Sequence, residues 1–121
     1  MKLQIEGQKL RVRVDEDELA QLLARQTVEA RTQFADAFAI GFAFRLTSDA
    51  EATFAGQAEA WQIGLPEATV REHAARLPTR EGLRFTLVGK GGDEALELLF
   101  DVDVRDSVKR RRSFYSPHEP S

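Results

Sequence analysis

The chain of 121 residues contains no cysteine, which removes disulfides, thiolate catalysis, iron–sulfur clusters and the common zinc fingers together. Stability has to come from packing. Histidine is nearly as scarce: His73 and His118 are the whole complement, they lack metal-ligand spacing, and no serine lies in a nucleophile-elbow pattern. Catalysis would therefore have to run on carboxylates, Lys or Arg alone, and the expectation is a non-enzymatic protein without cofactor or metal. Long apolar runs are missing too. Nothing approaches the ~18 consecutive apolar residues of a membrane span, and charges at Lys2, Glu6 and Lys9 break the layout of a signal peptide. These absences predict a cytoplasmic chain with no membrane partner.

Hydrophobic residues make up 42% and charged residues 31% of the chain, a balance that suits a folded domain, and the length suits a single core. The formal net charge of −3 repels a phosphate backbone as a whole. The charge is uneven, however. Lys109, Arg110, Arg111 and Arg112 are contiguous and follow a segment crowded with Asp93, Glu94, Glu97, Asp101 and Asp103. The expected organisation is one α+β domain over residues 1–106 and a basic, then proline-containing tail over 107–121.

Apolar and charged side chains alternate from Met1 to Val14 on both sides of Gly7-Gln8, the pattern of a β-hairpin with Leu3, Ile5, Leu10, Val12 and Val14 on one buried face. Asp15 and Glu18 have capping-box spacing, so a helix is expected over about residues 16 to 26, with Arg25 in its last turn. Period-two patterns then predict strands from Val28 to Phe34 and from Phe38 to Leu46, a short one at Ala52 and Phe54, and one through Trp61, Ile63 and Leu65. Pro66 opens a second helix with Val70, His73, Ala74 and Leu77 inward, and two strands close the domain. No repeat is evident in the residues. Short connections favour antiparallel neighbours, and Gly41 in mid-strand suggests a bend, so the predicted architecture is a strongly curved antiparallel sheet or half-open small β-barrel with two packed helices. Bent-strand barrels of this size resemble the Sm-like class used for RNA.

The same residues resemble a small family of uncharacterised bacterial proteins that open with Met-Lys-aliphatic-x-Ile-x-Gly-x-x-Leu-Arg-aliphatic-Arg, here Met1 to Val14. The likeness continues through Asp15 to Leu23, Phe34, the aromatic strand Phe38 to Leu46, and Leu65-Pro66. It spans most of the chain and implies a shared fold and no established activity. The end departs from the pattern: an acidic segment with a cysteine is expected there, and Val104 to Arg112 has none.

Four features carry candidate chemistry. Lys109 to Arg112, with Phe114 and Tyr115 beside them, have the make-up of a nucleic-acid contact, cations for phosphates and rings for unpaired bases; the competing role is a solvated tail or an intramolecular partner for Glu97, Asp101 and Asp103. Those three carboxylates step along one strand face as oxygen donors for a divalent cation, or simply as wet positions. Gly89-Lys-Gly-Gly92 lacks phosphate-loop spacing and reads as a hairpin turn. Phe38, Phe42 and Phe44 with Trp61 line either the core, an apolar pocket or a dimer face, and an exposed last strand would offer an edge for pairing. The expected partner is a second copy of the chain, with nucleic acid as the alternative.

Overall fold

A computed structural model describes residues 1–79, 81–89 and 94–104. The elements run β1 (Lys2–Glu6), β2 (Lys9–Asp15), α1 (Glu16–Leu23), β3 (Val28–Phe34), β4 (Phe38–Thr47), β5 (Thr53–Gln57), β6 (Ala60–Pro66), α2 (Glu67–Ala75), β7 (Leu83–Val88) and β8 (Ala95–Asp103). The α+β class and every predicted element are present. The expected single curved sheet or half-open barrel is not: the strands divide into two four-stranded sheets, β1-β2-β8-β7 (sheet A) and β3-β4-β6-β5 (sheet B), which do not close into a barrel.

The reason is pairing at long range. Each sheet joins two antiparallel hairpins through a parallel central pair, β2 with β8 and β4 with β6. Short connections argue only about sequential neighbours, and the parallel partners here come from different hairpins. Gly41 shows the same effect. Its N–H donates to the Glu59 carbonyl at 2.7 Å, and a Cβ at this position would lie 3.2 Å from that oxygen. Close backbone approach between neighbouring hairpins, more than a bend, accounts for the glycine.

The topology is a duplication that the residues conceal. At one constant offset, β1, β2 and the start of α1 correspond to β5, β6 and the start of α2, and the chain is a ββαββ unit written twice. Sheet A takes its first hairpin from one unit and its second from the other, and sheet B does the reverse. Registers match as well: Phe44 lies opposite Val28 and Ile63, and Phe100 opposite Leu83 and Val12. The Glu97 N–H donates to the Gln8 carbonyl at 2.8 Å, the counterpart of the Gly41–Glu59 bond.

One buried cluster draws Leu10, Val12, Val14, Leu98, Phe100 and Val102 from sheet A, Val28, Phe44, Ile63 and Leu65 from sheet B, and Leu19, Leu22 and Val70 from the helices. The first helix begins as expected: Asp15 accepts from the Glu18 N–H, and the Glu18 carboxylate accepts from the Asp15 N–H and pairs with the Met1 ammonium at 2.9 Å. It ends earlier than expected, at Leu23, because Arg25 turns into the left-handed region at φ 62. Ile5, expected in the core, is 64% exposed at the edge strand near the hairpin end.

Candidate functional site

Directly opposed residues of a sheet share a face, so the pairs Phe34 with Phe38, Phe42 with Trp61, and Phe54 with Ile63 put all of these side chains on the face of sheet B that carries Phe44. Where α1 and α2 pack on it, that face is buried through Val28, Phe44, Ile63 and Leu65. Towards the hairpin tips it is uncovered. Phe34 and Phe38 stack with ring centroids 5.0 Å apart, Trp61 meets Phe42 edge-on at 4.8 Å and Phe54 at 5.4 Å, and the indole N–H donates to the Ala58 carbonyl at 2.6 Å. The result is an aromatic shelf in two parts on one face, the stacked Phe34–Phe38 pair at a hairpin tip and the Phe42–Trp61–Phe54 cluster, with the Thr32–Ile40 row between them.

The outer face of sheet A is charged in rows. Lys2, Arg13 and Asp101 lie side by side; the next row is Gln4, Arg11, Leu99 and Arg84; the third is Glu6, Lys9, Glu97 and Thr86. Arg11 Nη2 donates to Asp101 Oδ2 at 2.6 Å, and Arg13 Nη2 donates to the same oxygen at 3.0 Å. Burial pushes the Asp101 carboxyl up, but the two guanidinium hydrogen bonds outweigh it and hold the group below its ordinary value. Arg84 pairs with Glu97 at 3.1 Å. Among the described residues no cluster of His, Asp and Glu has the make-up of a metal site.

Between the helices, Glu67 accepts from Arg25 and Arg71, which hold its carboxyl below its ordinary value, and Arg71 caps the end of α1 by donating to the Leu23 carbonyl at 2.6 Å. His73 is 4% exposed and occupies in α2 the place of Leu22 in α1. Desolvation, with help from Arg76 and against the opposing field of Asp101, lowers its pKa, so the folded protein prefers the neutral ring. The unfolded chain then binds more protons just below the ordinary histidine value. This part of the stability is complete above about pH 6.5 and is lost as pH falls from there through the lower folded value. The Asp101 contribution vanishes only below the ordinary carboxylate range. Urea unfolding across pH 5 to 8 is therefore expected to show a decline in the acid half of that window, and His73→Leu is expected to flatten it; an unchanged slope in the variant would assign the decline elsewhere.

Of the residues singled out in the sequence, Phe38, Phe42 and Trp61 do come together, whereas Phe44 lies in the core with no exposed surface. Glu97 and Asp101 share the outer face as expected, where Arg84 pairs with Glu97 and Arg11 and Arg13 pair with Asp101. The last strand offers no edge, because β8 sits between β2 and β7. Lys109, Arg110, Arg111, Arg112, Phe114, Tyr115 and His118, and Lys90 to Gly92 of the glycine loop, lie outside the described residues. Sequence reading missed Arg11, Arg13 and Lys2 as a group. Alternation places them on the wet face of a hairpin, but Asp101, the partner that Arg11 and Arg13 share, is 88 residues or more away from them in the chain.

No helix of the described residues is long and apolar enough to cross a membrane. No curated protein matches the chain. A family model, by contrast, runs from the first hairpin to just beyond β8, matching residues 1–106, and the chain belongs to that family, the family of unknown function DUF7009.

Proposed function

We propose that the chain is a non-enzymatic cytoplasmic domain that acts through protein contacts and pairs with a second copy of itself through the aromatic shelf of sheet B. One observation carries the reading: Phe38 is 57%, Phe34 45% and Phe54 38% exposed on one face, which they share with Ile40 and with the half-buried Phe42 and Trp61. Contiguous apolar surface of this kind marks contact sites on soluble proteins, and aromatic rings dominate the buried centres of interfaces. A two-fold dimer presents the same patch from both sides, so stacked rings meet stacked rings with no charge to desolvate. The alternative, an Sm-like RNA-binding module, would rest on Lys109 to Arg112 with Phe114 and Tyr115, and two sheets that do not close into a barrel lend it no support.

Light scattering at micromolar concentration tests the proposal. The expected result is a dimer mass for the native chain and a monomer mass for Phe38→Asp, with the variant keeping a native-like circular dichroism spectrum because Phe38 is outside the core, and with a melting temperature that depends on concentration only in the native chain. A monomer mass for the native chain would end the self-pairing reading.

A further inference from the structure

We propose that the outer face of sheet A holds a binding site for a dianionic phosphate group, of the kind a phosphomonoester carries. A groove there is lined by Lys2, Leu3, Gln4, Arg11 and Arg13, three cations and an amide with no carboxylate among them. The register sets Lys2 directly opposite Arg13 and Gln4 directly opposite Arg11, so four polar side chains form a square on two adjacent strands. Like charges placed opposite each other across strands destabilise a sheet, and this pair stands in a chain whose net charge is negative. An anion between them turns the repulsion into binding.

Asp101 builds the site from behind. Its side chain is 14% exposed, and its Oδ2 accepts from both guanidinium groups, which ties the two cations to one another beside the groove that both line. Arg11 Nε is buried with no acceptor among the described residues, the kind of donor that a ligand oxygen satisfies once the side chain shifts to admit it. Lys2 has no ion pair among the described residues. Three cations against one carboxylate leave an excess of two positive charges, which matches a phosphate dianion better than a singly charged carboxylate or diester. Asp15 and Asp103 lie in the row beyond Arg13, and Glu6 in the row beyond Gln4; none of them lines this groove. The proposal is independent of the shelf on sheet B.

Inorganic phosphate at pH 8 is the probe, titrated into the full chain by calorimetry at constant ionic strength, with dimethyl phosphate as the diester analogue of a nucleic-acid backbone. Saturable phosphate binding is expected, with dimethyl phosphate much weaker. Lys2→Gln removes one charge without breaking an ion pair of the fold and is expected to weaken binding roughly tenfold, the cost of one charge-assisted hydrogen bond. Arg13→Gln should do the same, and Arg45→Gln, an exposed arginine on β4 of the other sheet, should leave it unchanged. The proposal is overturned by the absence of saturation, by equal binding of the diester, or by a Lys2→Gln variant that binds like the native chain.

Discussion

Phe44→Ala and Phe100→Ala are each expected to cost about 3–5 kcal/mol of folding stability, and to cost it nearly equally. Both rings have no exposed surface, and both sit on an inner strand flanked by aliphatic residues of its two neighbours. Phe44 has Val28 on one side and Ile63 on the other; Phe100 has Leu83 and Val12. Truncation removes the transfer energy of the ring and leaves a cavity that two strands already held by hydrogen bonds cannot close. A domain of this size has only about 5–15 kcal/mol to lose, so either change approaches unfolding. Urea denaturation measures both, with Val88→Ala, 64% exposed on β7, as the counterpart expected within about 0.5 kcal/mol of native. A large loss for one core ring and a small loss for the other would show that the two halves do not share the centre equally.

Gly56→Ala is the second change with a large expected effect. Gly56 lies in β5 at φ 96, and a Cβ there would overlap the Ala60 carbonyl oxygen and stand 3.2 Å from Gln62 N. Both obstacles are backbone atoms of the strand region with which β5 pairs, so no side-chain rotation relieves them. Left-handed backbone alone costs a residue with a Cβ on the order of 1–3 kcal/mol, and the overlap adds the displacement of an edge strand. Two other glycines separate these terms. Gly7 has a positive φ but open space, so Gly7→Ala carries only the backbone cost; Gly89 has open space and no such φ, so Gly89→Ala is expected to be neutral. The predicted order of unfolding midpoints is Gly56→Ala lowest, then Gly7→Ala, then Gly89→Ala. A Gly56→Ala variant as stable as Gly89→Ala would mean that β5 does not pair with β6 in this register.

The elements of the fold were legible because each is written locally. Asp15 and Glu18 announce the helix start, Pro66 announces the second one, and alternation from Val28 to Phe34 and Phe38 to Leu46 marks two strands of the right span. Partnership was not legible. Nothing within Lys9–Asp15 states that it will lie parallel to a strand at the other end of the domain, and without that pairing neither the two sheets nor the Arg11–Arg13–Asp101 contact can be drawn. The duplication escaped for a related reason: Val12 matches Ile63, Leu19 matches Val70 and Leu22 matches His73, so equivalent places stay buried while losing residue identity. Exposure was legible only in part. Period two assigns Phe38 and Phe44 to one face, but only the position of the helices decides which of them is covered.

The exchange of hairpins between the two units also sets an order of events. Sheet B needs nothing beyond Pro66, and its strands are contiguous in the chain from Val28 onward apart from turns. Sheet A is different, because Lys9–Asp15 finds its parallel partner only in Glu97–Asp103. Closing so long a loop is entropically slow, and contacts of this span set folding rates. During synthesis the first hairpin therefore waits, with an unpaired edge on β2 and with Val12 and Val14 awaiting their final cover, until the last strand has emerged. The first structure the chain writes is among the last it can finish.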